Sequence, residues 1–400
     1  MIMAEGASVP QWRARGWMAI GAAVLLGACQ TLVPRGPAPA PVQDRPAAPA
    51  PTQRPSFDGT ISSDTERRRV ALLVPLSGGN AGVGQSIANA TQLALLDTQS
   101  RDVRVTNYDT GPGAAAAARR AIADGAQLIL GPLLADDVRA VAPIARAAGV
   151  PVIGFSNDAG VAGNGAYLMG YLPAQSIARV VTFARGRGVS TYAGLIPNGL
   201  YGERASTAFL RAVEGAGGQV VSLQTYGRAP GGVGQAVARL NAKAPYGAVL
   251  IADGGGPAAA AAPLVKRGVG AATRVLGTEL WNAEAGIAAR PQLAGAWFAS
   301  VSDTFYRQYA TKYRARFGSA PYRLSSLGYD AVLLTVRIAR DWPLGDRFPE
   351  ARLRDPGGFS GIDGAFRFGR DNLAERALEV QEIRGGTTVV VSPAPTGFAR

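Results

Sequence analysis

The stretch GPLLADDVRAVAPIARAAGVPVIGFSND, residues 131–158, reads in order as a strand end, a loop, a helix, a strand and a second loop. Both loops follow strands, so they should open on the same side of a sheet, where α/β proteins hold ligands. The first loop offers Asp136 and Asp137, and the second offers Ser156, Asn157 and Asp158. Three acids at a ligand-holding edge raise the question of what such a cleft could hold.

Outward from that stretch the pattern repeats. Upstream, VALLVPLS (70–77) is a continuous apolar strand, followed by a Gly-rich turn and a helical segment with Ile87, Ala90, Leu93 and Ala94 on one face. VRVTNYD (103–109) is a second strand, GPGAAAAARRAIADG (111–125) a turn and an Ala-rich helix, and QLILGP (127–132) a third strand. Near-continuous apolar strands separated by helices imply a parallel sheet covered on both faces. This predicts a doubly wound α/β domain.

The alternation restarts after Pro173. A helix over 173–187 precedes strand TYAGLIP (191–197), a helix over 201–217, and strand QVVSLQTY (219–226). A helix near 233–243, strand GAVLIAD (247–253), a helix over 256–267 and strand TRVLGT (273–278) complete a second unit of similar size. Two further helices are expected over 304–317 and 325–340, then a closing β segment with hairpin-like alternation around Arg370, Asp371 and Asn372. The two helices, the first of them rich in Tyr and Arg, are the expected place for an exposed apolar patch.

Composition narrows the chemistry. The chain of 400 residues is 47% hydrophobic and 17% charged, as in a globular protein. Its net charge of +13 comes almost wholly from arginines scattered through the helices, with lysine only at 243, 266 and 312. No interleaving of aromatic and basic residues suggests a nucleic-acid surface. There is no histidine and one cysteine. That removes Ser-His-Asp and Cys-His nucleophiles, His-ligated zinc and any internal disulfide. No catalytic residue, metal site or cofactor is expected. SGGNAGVG (77–84) does not keep the order of a dinucleotide fingerprint. Its glycines suit backbone amides facing a cleft at a helix N-terminus, with Ser77 beside them.

The N-terminus has its own logic. Arg13 and Arg15 precede a short apolar run over 16–26, too short to span a bilayer but suited to an export signal. The run ends in Leu26, Gly27, Ala28 and Cys29, which resembles the bacterial lipobox. The resemblance implies a signal peptide over 1–28 and a lipid on Cys29, with several acyl chains anchoring the chain. Gln30 in place of Asp points to the outer membrane, facing the periplasm. Residues 29–66, dense in Pro and Ala, cannot make a core and should form a semi-rigid tether.

Beyond the tether, VALLVPLSG, NAGVGQSIANATQLAL, YDTGPGAAAAARRAIADGAQLILGP, VAPIARAAGVPVIGFS and IPNGLYGERASTAFLRAVEGAGGQVV occur in the order and spacing of the leucine-binding-protein family, which the chain resembles. The resemblance implies the type I periplasmic binding fold: two doubly wound lobes joined by three crossovers near 171–173, 296–303 and 361–368. Lobe 1 should comprise 69–172 and 303–360, and lobe 2 should comprise 173–300 and 361–400. In that family a solute sits between the lobes. The corresponding cleft candidates here are Ser77, Asp136, Ser156, Asn157, Asp158, Tyr201 in GLYGE and Glu279 in GTELWN. Tyr201 matches a ligand-packing tyrosine, and Glu279 falls near the acid that meets an ammonium. Gly254 to Gly256 stand where receptors often place an aromatic.

The acids at 136, 137 and 158 do not suit an amino-acid carboxylate, since like charges 4 Å apart cost about 4 kcal/mol at an effective dielectric of 20. Asp136 or Asp137 could equally cap the helix that follows. The phrase over 131–171, together with GTELWN, LAGAWFAS and GIDGAFRFGRDNLAERALEV, resembles the alphaproteobacterial penicillin-binding protein activators. That resemblance implies a non-enzymatic lipoprotein that docks on a peptidoglycan synthase. The alternative is a solute receptor whose partner is the permease of an ABC importer.

Overall fold

The computed structural model describes residues 66–398. The expected signal peptide, Cys29 and the expected tether up to residue 65 lie outside the described residues.

The first lobe is built on five parallel strands in the order β2-β1-β3-β4-β5. They are β1 (Arg68–Val74), β2 (Val103–Asp109), β3 (Leu128–Leu130), β4 (Val152–Gly154) and β5 (Ala166–Leu168). Helices α1 (Ala81–Thr98), α2 (Ala114–Ala123) and α3 (Ala135–Ala147) connect the first four strands. β1 shows why its sequence is continuously apolar. Val70, Leu72 and Val74 point into one core, and Ala71 and Leu73 into another on the opposite face, because successive strand side chains alternate.

The second lobe repeats the plan. Its seven-stranded sheet has the order β15-β14-β10-β9-β8-β6-β7. The strands are β6 (Thr191–Pro197), β7 (Gln219–Tyr226), β8 (Ala248–Ile251), β9 (Arg274–Gly277), β10 (Trp297–Ser300), β14 (Glu379–Arg384) and β15 (Thr387–Ser392). The first five run parallel, and β14 and β15 add an antiparallel margin. Helices α4 (Pro173–Gly186) and α5 (Leu200–Gly215) cover one face, and α6 (Gly232–Asn241) and α7 (Gly255–Val269) the other.

Both lobes reverse strand order next to their first strand, which opens a crevice at the carboxyl ends of β1 and β3 and of β6 and β8. The same packing device stands at each crevice. A Cβ on Gly84 would lie 1.7 Å from the Pro75 carbonyl oxygen, and a Cβ on Gly202 would lie 1.7 Å from that of Pro197. Only glycine lets the helix that follows each lobe's first strand close against the end of that strand.

The chain crosses between lobes between β5 and α4, again between β10 and α8 (Thr304–Phe317), and finally between β13 (Ala374–Arg376) and β14. The last crossing corrects the expectation that 361–400 belong to lobe 2. β11 (Phe359–Gly361), β12 (Gly364–Phe368) and β13 form a small antiparallel sheet of their own. Phe359, Phe366, Phe368 and Ala374 bury themselves in the first lobe's core, and Leu168 N–H donates to Asn372 O at 2.9 Å. The hairpin around residues 370–372 forms as its alternation predicts, with Asn372 at φ 62°.

A second correction concerns the expected exposed patch. α9 (Ser325–Ala339) is buried almost all round and packs on α1, and Tyr309 and Tyr313 turn the aromatic face of α8 inward against Tyr329. Phe305, at 55% exposure, is the outward exception on α8. No helix among the described residues is long and apolar enough to cross a membrane.

Candidate functional site

The carboxyl-end loops of both sheets bring the expected residues to one side, but into two separate groups. On the second lobe, Tyr201 opens α5 and Glu279 follows β9. The Tyr201 hydroxyl donates to Glu279 Oε1 at 3.0 Å and lies 3.0 Å from Thr278 Oγ1. The Glu279 N–H donates to Ser176 Oγ at 2.9 Å. Burial pushes the Glu279 carboxyl up to about 7, against the opposing hydrogen bonds. Burial, then the neighbouring Glu279, raises the Tyr201 phenol well above its ordinary value. An acid held at this point is a poor permanent anion for an ammonium.

On the first lobe, the loop after β4 is closed by its own side chains. Asp158 N–H donates to Ser156 Oγ at 3.1 Å, and Gly160 N–H donates to Asp158 Oδ1 at 3.0 Å. Asp158 is buried, and its charge meets Arg204 of α5 at 3.2 Å, an ion pair that joins the two lobes. Asp136 is exposed and pairs with Arg139 of its own helix, whose guanidinium also reaches to 4.0 Å from Asp158. The helix begins at Ala135 with Leu134 at the cap position and no side-chain cap, so neither Asp136 nor Asp137 is the N-cap considered from sequence. They occupy the first turn instead, where acids suit the helix dipole. Burial raises the Asp137 carboxyl.

Ser77 is exposed in the loop after β1, where Leu76 and Ser77 N–H donate to Asp109 Oδ1 at 2.7 and 3.3 Å. The Ser77 hydroxyl holds the Asp109 carboxyl below its usual value. Asn157 is exposed and lines a surface groove of about 670 Å³ with Glu203, Arg204 and Arg211. Where the sequence lacks an aromatic, at residues 254–256, the chain fills the space itself. A Cβ on Gly254 would meet Glu284 Oε1 at 2.5 Å, and one on Gly255 would meet Ile287 Cδ1 at 2.2 Å.

The densest chemistry lies where the three crossovers meet, and the sequence reading missed it. Arg323, between α8 and α9, is 7% exposed. It donates through Nη1 to Asp363 Oδ1 at 2.7 Å and to Ser326 Oγ at 2.9 Å, and its Nη2 lies 3.4 Å from Asp303. Tyr171 OH donates to Asp363 Oδ2 at 2.5 Å, and Ser326 Oγ donates to the same oxygen at 2.8 Å. Asn282 of the second lobe joins when its amide is oriented to satisfy both ends. It then donates to Asp303 at 3.1 Å and accepts from Arg323 Nε at 3.2 Å.

Asp330, wholly buried in α9, accepts Ile362 N–H at 2.7 Å and Asp363 N–H at 3.3 Å. Burial and the adjacent Asp363 charge raise the Asp330 carboxyl, while Arg323 and Arg376 overcome burial and hold Asp363 down. Burial alone would lower Arg323, but Asp363, Tyr171 and Asp303 reverse that and secure its charge.

Beside this cluster lies an enclosed cavity of about 20 Å³, room for one water, lined from both lobes by Tyr171, Gln175, Ser176, Glu279, Arg323 and Arg376 among others. Buried Glu279 Oε2 has no hydrogen-bond partner. The arrangement can clamp the lobes and take up a proton at Glu279. Among the described residues no group of three or more His, Cys, Asp or Glu could hold a metal ion.

Comparisons place this geometry. The chain is similar in fold to a Rhodospirillum rubrum protein described as a branched-chain amino acid ABC transporter (TM-score 0.72, 21% identity, 81% of this chain and 100% of that one). It is also similar to an ABC transporter substrate-binding protein from Sphaerobacter thermophilus (TM-score 0.70, 19% identity, 83% and 98%) and to a solute-binding protein from Rhodopseudomonas palustris in complex with benzoate (TM-score 0.63, 19% identity, 84% and 98%). Over 139 residues it is 26% identical to uncharacterized protein RP748 of Rickettsia prowazekii, a match to 34% of this chain that spans only about a third, 37%, of that relative. The fold is the expected type I periplasmic binding fold, two doubly wound lobes joined by three crossovers. A family model described as periplasmic binding protein matches residues 68–387, and the chain belongs to that family.

Proposed function

We propose that this chain is a non-enzymatic, periplasm-facing lipoprotein whose binding-protein module docks on a partner protein, a peptidoglycan synthase being the partner its sequence resemblance implies. The observation that carries the reading is how the space between the lobes is used. Asp158 is tied across the lobes to Arg204, Glu279 is buried with its carboxyl raised, and the enclosed cavity lined by Glu279 and Tyr171 has room for one water, the groove of about 670 Å³ at Asn157 being open to the surface. A receptor for an amino acid needs a small-molecule cavity, typically some 300–1,000 Å³. Cys29 as a lipid anchor and 29–66 as a tether would set the module at a distance from the membrane where it can reach a synthase.

The test is glycan polymerisation by purified bifunctional synthases of the same cell, with and without the full lipidated chain. The expected result is a severalfold faster rate that saturates with the added chain. An unchanged rate with every synthase refutes the reading. The second reading, a solute receptor working with an ABC permease, is supported by the Tyr201–Glu279 pair and by the ABC transporter proteins among the fold's neighbours. It predicts saturable binding of a small solute and loss of that binding in Tyr201→Phe.

A further inference from the structure

The geometry points to a second binding site, outside the interlobe cleft and independent of the partner reading above, that takes a small doubly charged oxyanion. It is a groove of about 660 Å³ between α4, β13 and the segment after β15. Its size is that of a small-molecule site.

Two arginines line it, one from each lobe, and among the described residues neither has a carboxylate within ion-pair distance, Asp363 and Asp330 acting on Arg376 only from farther off. Arg376 of β13 is 6% exposed. Its Nη2 donates to the Met169 carbonyl at 2.6 Å, while Nε and Nη1 are buried with no hydrogen-bond partner. Its charge rests on the faces of Tyr171 and Phe366, 5.1 and 5.3 Å from the ring centroids. The nearby Asp363 is already committed, since its oxygens accept from Arg323, Tyr171 and Ser326. Arg179 of α4 is half-buried and donates only to uncharged acceptors: Leu378 O at 3.0 Å, Ser392 Oγ at 2.7 Å and Pro393 O at 3.3 Å.

Buried N–H groups left unanswered on Arg376 are costly, and beside a half-buried Arg179 whose acceptors are all uncharged they define the complementary ligand. A guanidinium fork matches the paired oxygens of a carboxylate or the oxygens of a phosphate. The third groove arginine, Arg367, is engaged with Glu375 at 2.8 Å and leaves no acid of β13 to compete. Because Arg179 belongs to lobe 2 and Arg376 to lobe 1, an anion holding both would fix the angle between the lobes. Arg376 also lines the enclosed cavity at the crossovers, so the bound anion would be felt at the hinge.

Calorimetric titration of the full chain with succinate and with inorganic phosphate, each against chloride at matched ionic strength, tests the site. The expected result is saturable binding of at least one of them beyond the chloride control. Succinate binding would identify a carboxylate ligand and phosphate binding a phosphate ligand. Arg179→Gln should weaken that binding about tenfold or more, and Arg376→Gln further, whereas Arg314→Gln on the exposed face of α8 should leave it unchanged. Arg179 is half-buried on a surface helix, so its variant carries the test even where Arg376→Gln fails to fold. No binding above the chloride control, or full affinity in Arg179→Gln, overturns the proposal.

Discussion

The crossovers and the cleft rim are both rich in charge, and they use it in opposite ways. At the crossovers Arg323, Asp363 and Asp330 are buried, each oxygen or N–H answered by a named partner. At the rim Asp136 and Arg139 pair in solvent, and the lobes are bridged by Asp158 and a half-exposed Arg204. A buried pair is costly to break because the remaining charge is stranded, while an exposed pair contributes little. The hinge should therefore govern stability, and the rim should govern only how the lobes meet.

That contrast can be broken at its strongest point first. Asp363→Ala strands Arg323 and should cost about 3–5 kcal/mol in denaturant unfolding. A loss near that of a surface substitution would erase the distinction. The next effect is pH-dependent and sits between the two regions. The folded Glu279 carboxyl is raised to about 7, above its unfolded value near 4.5. Its favourable contribution is therefore complete below about pH 4.5 and is lost as pH rises through about 7. Glu279→Gln should flatten that part of the stability curve, by up to about 3 kcal/mol, and should be more stable than the parent at pH 8. Melting temperatures from pH 4.5 to 8 check this, and an unchanged slope would show that Glu279 does not titrate there. Asp363 has the opposite sign, with stability lost only as pH falls below the ordinary carboxylate range. The smallest effect belongs to Arg204→Ala. Removing this half-exposed partner leaves buried Asp158 with the Gly160 N–H and Arg139 at 4.0 Å, so the cost should be about 1–2 kcal/mol, while small-angle scattering should detect a wider spread of lobe angles. A rigid variant with unchanged scattering would mean that the ion pair does not hold the rim.

The fold was legible because buried parallel strands leave continuous apolar runs, as in residues 70–74 and 191–197, with helical spacing between them. The placement of residues 361–376 was not. The alternation in GAFRF announces a hairpin but carries no mark of which lobe its apolar face will meet, and that is settled by Phe366 and Phe368 finding the first core. At the site, Tyr201 and Glu279 could be named from their local phrases, and they do touch. The hinge network could not, because its members are spread from Tyr171 to Arg376 and meet only through folding. One signal was available. Asp330 lies in SSLGYDAVLL, a charge inside a helix apolar on nearly every side, and such a residue is rarely buried without a partner. The acids of the opening stretch misled for the same reason, since the arginine that neutralises Asp158 is supplied by the other lobe.

The central claim is that the space between the lobes is taken up by the chain's own side chains, and it is tested most directly by thermal unfolding of the full chain against each free amino acid. A receptor with its ligand at a hundred times the dissociation constant would gain about 2.7 kcal/mol and melt several degrees higher. This account predicts no amino acid that raises the transition. A clear, saturable rise with one of them, abolished in Tyr201→Phe, would contradict it and assign the chain to solute capture.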